Sequence, residues 1–237
     1  MSNANVAFQR SKTYRLLSYC FFYPDEEFGG FLRSGEFVNE IKEAIERYPL
    51  KTEIEASLKD LKEAETFDVD KMADEHIRFL TLKSGCPPYE NEYYRSRLSV
   101  YTTEEMADIA GFYKAFGMNF TNERPDHIAA ELEFMHLVTL KEAEAASKGE
   151  GNNVEICISV ERKFLQDHLG RWVDAFSDAL KSEGSLFYSS ISQFLRCWIN
   201  AECRYLDVSP QKVTNFKFED SEDDAEDQIC MGAKVHS

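Results

Sequence analysis

The sequence predicts an all-α protein: a single bundle of about seven to nine helices, arranged as two halves joined by a hinge. Apolar residues recur every three or four positions along most of the chain, as they do on one face of an α-helix. The one run with the character of a strand, residues 156–160, is too short and too isolated to build a sheet. The chain has 237 residues, 43% of them hydrophobic, so it can bury a large core.

Four helices are predicted before residue 83. The first covers residues 8–23 and ends at Pro24, and the second ends at Pro49, because proline interrupts a helix. Two shorter segments with helical spacing follow them. The apolar faces of the second, third and fourth helices comprise Phe37, Ile41, Ala44, Ile45 and Tyr48, then Ile54, Leu58 and Leu61, then Val69, Met72, Ala73, His76, Ile77 and Leu80.

A long connection at residues 83–101 precedes the next helix. Thr102 and Glu105 have the spacing of a capping box, which predicts that this helix begins at Thr102 and ends at Gly117. The connection contains CPPYENEYYRSR, in which tyrosines alternate with acids. Tyrosines offer the broad contact area that is typical of peptide-binding surfaces, or they pack the loop onto the bundle. Both interpretations stay open.

The segment KGEGNN, residues 148–153, interrupts the helical pattern and is predicted to be the hinge. Exchange of the two halves between protomers could give a domain-swapped dimer, with a monomer as the alternative. Beyond the hinge, one apolar face predicts a single long helix across residues 160–180, and a last helix covers residues 186–206.

The helical domain is expected to occupy residues 1–208, followed by a disordered acidic tail at residues 209–237. Seven acids and no basic residue lie between positions 219 and 228, a composition typical of disordered, self-repelling segments. Such a block could instead attract a basic segment of a partner.

Charge and composition exclude several classes of partner. The net charge of −16 disfavours nucleic acids and anionic membrane surfaces. No apolar run reaches the length of a membrane span, and the N-terminus lacks the pattern of a secretory signal, so we expect a cytoplasmic protein. The six cysteines form no CxxC pair, which argues for reduced thiols and against a zinc site.

The most informative segment is ERPDHIAAELEFM, residues 123–135. It is predicted to place a proline, an acid and an imidazole in the first turn of a helix, where proline is tolerated and acids complement the helix dipole. His127, Glu131 and Phe134 then share one stripe of the helix. From composition alone, a well-capped structural helix is the plainer interpretation.

An enzymatic alternative uses the same region. Asp126 and His127 could act as an acid–base pair. Glu133 and His136 have the ExxH spacing of a di-iron ligand pair, although none of the other histidines follows an acid at that spacing. Glycine-rich phosphate-binding motifs are absent from the sequence. We therefore predict no metal and no cofactor, and keep the acid–base or metal-dependent enzyme as the alternative.

These residues carry a resemblance to a known family. ERPDHIAAELEFM resembles the most characteristic motif of the TorD/DmsD/NarJ family, cytoplasmic chaperones for molybdenum-cofactor oxidoreductases of the DMSO-reductase type. The segments LLSYCFFYPDEEF, PPYENEYYRS and FLQDHLGRW resemble three further elements of that family. Together the four segments span most of residues 8–206.

The resemblance implies an all-helical chaperone without chemistry of its own. Members bind the twin-arginine signal peptide or other parts of an immature catalytic subunit, delay its export and assist insertion of the molybdenum cofactor. The basic part of such a peptide would be attracted to an acidic surface, and its apolar part would need a groove lined by aromatic residues.

The resemblance also implies which residues bind the peptide. The motif positions are Glu123, Pro125, Asp126, His127 and Glu131, and the secondary candidates are Tyr89, Glu90 and Tyr93. We expect Asp126 to be the anionic partner of a peptide arginine. Arg124 is expected to pair with nearby acids, and His168 and Trp172 are expected to pack in the core.

Overall fold

The computed structural model describes residues 3–61, 68–81, 85–94, 99–119 and 124–214. Within them the all-α prediction is confirmed, and the only β-type pairing is an isolated bridge between Tyr89 and His127. In the described residues, nine helices have eight or more residues. The helices are α1 Asn3–Tyr19, α2 Glu26–Arg33, α3 Glu36–Glu46, α4 Lys51–Ile54, α5 Leu58–Leu61, α6 Val69–Phe79, α7 Ser99–Phe116, α8 Ile128–Lys148, α9 Gly151–Asp167, α10 Leu169–Ser182 and α11 Leu186–Tyr205.

One hydrophobic core runs through the bundle. Helix α1 lies along α8, and α8 with α9 and α10 with α11 form the other main helix pairs. Trp172 and Trp198 are the largest of the fully buried side chains. Gly149 ends α8 in the left-handed conformation, at φ 73°, and the chain turns directly into α9. The hinge and the exchange of halves at this turn stay predictions.

Four sequence-based boundaries were wrong. Helix α1 covers Asn3–Tyr19 rather than residues 8–23, so it ends before Pro24. Helix α7 begins at Ser99 rather than at Thr102. Helix α8 begins only at Ile128, so Pro125 and Asp126 precede the helix rather than form its first turn. Residues 160–180 form two helices, because the backbone leaves the helical conformation at His168.

The break at His168 brings the start of α10 close to the end of α9. A Cβ atom on Gly170 would lie 2.2 Å from the carbonyl oxygen of Leu165, so only glycine fits there without a shift of the backbone. The strand-like residues 156–160 lie within α9. The five cysteines of the described residues are free thiols.

Arg10 of α1 is fully buried and connects three other helices. Its guanidinium donates to Glu142 of α8 at 2.8 Å, to Glu161 of α9 at 2.5 Å and to Glu202 of α11 at 2.7 Å. Tyr14 also donates to Glu202, at 3.0 Å. Burial, opposed by Arg10 and reinforced by Glu142, raises the pKa of Glu161 to about 8. Burial in the cluster therefore favours the protonated form of Glu161.

The residues that follow α11 return to the bundle. The amide of Val213 donates to the carbonyl of Arg171 at 2.9 Å, and Ser209 exchanges two hydrogen bonds with Gln166. Val208 and Val213 pack against the core. The predicted boundary after residue 208 therefore separates residues 209–214 from helices that they contact, and the acidic segment at 219–228 lies outside the described residues.

We expect two truncations to differ in stability. Deletion of residues 215–237 should leave the melting temperature unchanged, because that segment is strongly acidic. Deletion of residues 209–237 should lower the free energy of unfolding by about 1–3 kcal/mol. This form loses the hydrogen bonds of Ser209 and Val213 and exposes the apolar surface that Val213 covers. Thermal denaturation of both forms tests this, and equal melting temperatures would place the boundary at residue 208.

Candidate functional site

Residues 124–127, the described part of the motif that precedes α8, and residues 88–94, which we call the tyrosine-rich turn, form one unit. The amide of Glu90 donates to the carbonyl of Asp126 at 2.9 Å, and the amide of Ile128 donates to the carbonyl of Pro88 at 2.8 Å. Tyr89 and His127 lie between these two bonds as an antiparallel bridge. Two segments that are more than 30 residues apart in the sequence thus position each other.

Asp126 is fully buried and already has partners. Its Oδ1 accepts from Nε of Arg124 at 2.9 Å, and its Oδ2 accepts from Nη2 of Arg124 at 2.7 Å. Oδ2 also accepts from the side-chain amide of Asn91 at 2.9 Å and from its backbone amide at 3.3 Å. A peptide arginine could reach Asp126 only after Arg124 had moved. The peptide-binding role of Asp126 stays a prediction.

His127 caps helix α8. Its Nδ1 accepts from the amide of Ala129 at 3.1 Å, and the residue is 8% exposed. Burial, together with the nearby charge of His76, lowers the pKa of His127 to about 4. The imidazole is therefore neutral at physiological pH, and its ring stands edge-on to Tyr89 with 5.2 Å between the ring centres.

Two glutamates lie beneath this surface, both fully buried. Trp172 donates to Oε2 of Glu131 at 3.2 Å, and Tyr94 donates to Glu90. Burial and the neighbouring carboxylate of Glu90 raise the pKa of Glu131 well above its ordinary value. Glu131 is thus part of the buried layer that supports the surface. Tyr93 is also fully buried, 5.2 Å from Trp172 between ring centres.

His168, also fully buried, connects α10 to the tyrosine-rich turn and to α7. Its Nδ1 lies 3.3 Å from a carboxylate oxygen of Glu90 and its Nε2 lies 3.1 Å from a carboxylate oxygen of Asp108. Burial alone would lower the pKa of His168, but Glu90 and Asp108 together raise it above its ordinary value. The two carboxylates therefore favour the protonated form of the imidazole. The expectation that His168 and Trp172 are core residues is confirmed.

Potential metal ligands do not coincide with the sequence-based alternative. In the described ranges, the group whose ligand atoms all lie within 4.8 Å of one another is Glu90, Glu105 and His168. Glu133 is exposed on α8. Nδ1 of His136 lies 2.8 Å from the hydroxyl of Ser11. The ExxH spacing therefore does not bring Glu133 and His136 into such a group.

An open groove of about 670 Å³ lies where the chain passes from α1 into α2. We call it the aromatic groove; its aromatic lining is Tyr19, Phe22, Tyr23, Phe28 and Phe31, and its acidic residues are Asp25, Glu27 and Glu36. Tyr23 is 60% exposed, and Tyr19 and Phe22 are also exposed. An apolar floor with carboxylates beside it suits a segment that carries both apolar and basic residues.

His76 of α6 lies beside the aromatic groove. The rings of Tyr23 and His76 are 5.5 Å apart between centres, and Ile77, the next residue on α6, is exposed. The charge of His76 also contributes to the lowered pKa of His127, whose ring contacts Tyr89.

The structure separates the predicted site residues into three groups. The half-buried Pro125 and Tyr89 lie at the surface, and the carbonyl of Pro125 accepts from Tyr113 at 2.7 Å. The buried residues are Asp126, His127, Glu90, Glu131 and Tyr93. Glu123 lies outside the described residues.

Sequence analysis missed three contributors to the site. These are the groove residues between α1 and α2, the double hydrogen bond from Asn91 and the contact of Asp108 with His168. The run of aromatic residues before Pro24 was the available signal for the groove. The expected pairing of Arg124 with acids is confirmed, with Asp126 and with Glu92.

Comparison with known proteins agrees with this geometry. The family model described as nitrate reductase delta subunit matches residues 37–178, more than half of the chain. The chain belongs to the nitrate reductase delta subunit family. The resemblance to the TorD/DmsD/NarJ chaperones is thereby confirmed.

Two relatives of this chain are named as chaperones. A chaperone protein TorD from Photobacterium profundum is 26% identical over 188 residues, which cover 78% of this chain and 83% of that protein. A perchlorate reductase assembly chaperone protein from Dechloromonas aromatica is 38% identical over 69 residues, which cover only 28% of this chain and 30% of that protein.

A solved structure from Archaeoglobus fulgidus, described as a redox enzyme maturation protein, is also similar to this family member. It shares 20% identity at a TM-score of 0.48, over 80% of this chain and 93% of that one. In the described parts of the chain, no helix has both the length and the apolar character needed to span a membrane.

Proposed function

We propose that the chain is a maturation chaperone for a molybdenum-containing oxidoreductase of the DMSO-reductase type. It binds the twin-arginine signal peptide, or another segment of the immature catalytic subunit, in the cytoplasm. Binding delays export of that subunit and assists insertion of its molybdenum cofactor. The chaperone itself supplies no catalytic group.

The aromatic groove is the observation that carries this proposal. A signal peptide combines a basic segment with an apolar one, and the groove combines exposed aromatic rings with three carboxylates. Burial of the peptide's apolar part against Phe22 and Tyr23 supplies most of the affinity. The acidic residues Asp25, Glu27 and Glu36 favour encounter with its basic part and select against acidic segments.

The buried layer supports this role by fixing the surface. Asp126, Glu131 and His168 all form hydrogen bonds to neighbouring elements inside the protein. The side chains of Asp126 and His127 bond to Arg124, Asn91 and Ala129 rather than to each other, which favours a structural role over acid–base chemistry. The names of two relatives, one a TorD chaperone and one an assembly chaperone for a reductase, agree with this interpretation.

Peptide binding by groove variants tests the proposal. The probe is a fluorescent synthetic twin-arginine signal peptide from a DMSO-reductase-type catalytic subunit, titrated by anisotropy. Changing Phe22→Ser and Tyr23→Ser together should weaken binding about tenfold or more, since aromatic anchors carry much of the energy of such interfaces. Binding to the wild type should also weaken as salt rises, because the acidic groove residues act through screened charges.

Ile156→Ser is the matched control. Ile156 is 56% exposed on α9 and does not line the groove, so this variant removes a similar exposed apolar side chain elsewhere. It should bind the peptide like the wild type. Equal affinities for all three proteins would exclude the groove, and no binding by the wild type would overturn the proposed function for signal peptides.

A further inference from the structure

Arg124 occupies a site with the composition of an arginine receptor. Its guanidinium makes a two-point contact with Asp126 and donates from Nη1 to Oε1 of Glu92 at 3.0 Å. Its Cζ lies 4.4 Å from the centre of the Tyr89 ring. Tyr89, Glu92 and Asp126 thus bind one guanidinium by its edges and its face, and we call these three residues the arginine seat.

The arginine seat is built independently of Arg124. Asp126 is held by both nitrogen donors of Asn91, and its backbone carbonyl accepts from Glu90. Tyr89 is held by its bridge to His127. These contacts would keep the carboxylate and the ring in place if the Arg124 side chain left. Two carboxylates face one guanidinium, so the seat retains negative charge while Arg124 is in it.

Arg124 itself can be exchanged. Its side chain is 32% exposed and that of Glu92 is 30% exposed, so the seat is open to solvent on one side. Rotation of the Arg124 side chain outward requires no movement of α8, because the helix begins four residues later. Water would form hydrogen bonds with the Arg124 guanidinium after it leaves the seat. A second guanidinium entering from outside would restore the same hydrogen bonds to Asp126.

We propose that Arg124 is an intramolecular placeholder for an arginine side chain of the client peptide. The peptide arginine displaces Arg124 and takes its contacts with Asp126, Glu92 and Tyr89, while the apolar part of the peptide lies in the aromatic groove. This inference rests on the proposed function, since it names the side chain by which that peptide is recognised. A lysine does not substitute, because an ammonium group cannot make the two-point contact.

The placeholder has a consequence for affinity and for specificity. Competition with Arg124 lowers the apparent affinity for every arginine-containing peptide, which equals the intrinsic affinity multiplied by the fraction of time that the seat is free. Between clients, Asp126 remains paired and the buried carboxylate is never exposed unpaired. The arrangement therefore favours a peptide that brings both an arginine and an apolar segment.

Removal of the placeholder is the decisive experiment. The variant Arg124→Gln and the wild type are titrated with the twin-arginine peptide and with the same peptide carrying two lysines instead. We expect the variant to bind the arginine peptide about tenfold more tightly than the wild type does, and the lysine peptide with less than about twofold change. Arg204→Gln, at an exposed ion pair with Glu53 on the surface, should change neither affinity.

Other outcomes count against the placeholder. An unchanged affinity, or an equal loss for both peptides, would mean that Arg124 is purely structural. Such a result would leave the proposed function intact as long as the wild type still binds the arginine peptide and the groove variant binds it more weakly.

Chemical rescue tests the arginine seat without any peptide. Arg124→Ala should melt at a higher temperature in millimolar methylguanidinium than in equal methylammonium, because the ligand fills the vacated seat. Arg204→Ala should show no such difference. Absence of a selective shift in both Arg124→Ala and Arg124→Gln would overturn the inference, even if peptide binding itself were established.

Discussion

Arg10→Met is expected to destabilise the protein by about 3–5 kcal/mol, since removal of one partner from a buried ionic cluster leaves the others uncompensated. Glu142, Glu161 and Glu202 would then lie around an apolar side chain with no cation among them. For a domain of this size the melting temperature should fall by on the order of 10 °C. Differential scanning calorimetry or thermal circular dichroism measures the loss.

The pH dependence of that loss identifies its cause. Without Arg10, the three carboxylates repel one another, and binding protons removes this repulsion. The variant should therefore recover stability relative to the wild type as the pH falls. A loss caused by poor packing of Met would be the same at every pH. Parallel melts at neutral and mildly acidic pH therefore separate charge from packing.

Arg33→Ala is the control for Arg10→Met. Arg33 forms an exposed ion pair with Glu26 at 3.2 Å, and such pairs contribute less than about 1 kcal/mol. A melting temperature for Arg10→Met equal to that of Arg33→Ala would show that the buried cluster adds nothing net. In that case the connection of α1 to α8, α9 and α11 would rest on apolar packing alone.

The spacing of apolar residues predicted a helix well where the start and end of that helix are set by residues close by in the sequence. The apolar spacing of residues 37–48 and 69–80 predicted α3 and α6 nearly to their ends. The break at His168 could not be predicted this way, because apolar spacing continues through it. The bonds that accompany the break come from Glu90 and Asp108, 78 and 60 residues away. Such partners become neighbours only through the tertiary fold.

The candidate site also combines features that the local sequence predicted with features that arise only from tertiary contacts. The sequence pointed to the motif and to the tyrosine-rich turn, and the structure brings them together. It did not indicate that Asp126 is buried, because a carboxylate near a helix start is usually exposed and stabilised by the helix dipole. In the fold, the buried carboxylate is held by Asn91 and also pairs with Arg124. Likewise nothing in the spacing of Tyr93 indicated that it would pack on Trp172.

The second prediction with a large expected effect is a loss of folding stability at acidic pH that depends on His127. Its pKa is lowered from 6.5 to about 4 in the folded protein, so its contribution to stability is present above pH 6.5 and is lost as the pH falls toward 4. Across that window the wild type should lose about 3 kcal/mol through this group. His127→Asn keeps a side chain that caps helices but does not titrate, so it should lack this loss. Chemical denaturation between pH 4 and 7 compares the two.

His168→Gln provides a control of opposite sign. Because the folded pKa of His168 is raised, its contribution is present below about pH 6.5 and is lost as the pH rises through the folded value. As the pH falls, the difference in stability between the wild type and His168→Gln should therefore grow. The difference in stability between the wild type and His127→Asn should shrink. If both variants showed the same trend with pH, the neutral, buried state assigned to His127 would be wrong.

The same His127→Asn protein decides between the two interpretations of the motif. Asparagine restores the cap on the amide of Ala129 but removes the ring that contacts Tyr89. If His127 acts only as a cap, the variant should bind the twin-arginine peptide like the wild type at pH 7. If the imidazole contributes to peptide binding beside the arginine seat, affinity should fall severalfold, by about 1 kcal/mol, while the melting temperature hardly changes. We expect the second result, because the His127 ring stands against Tyr89, one of the three residues of the arginine seat.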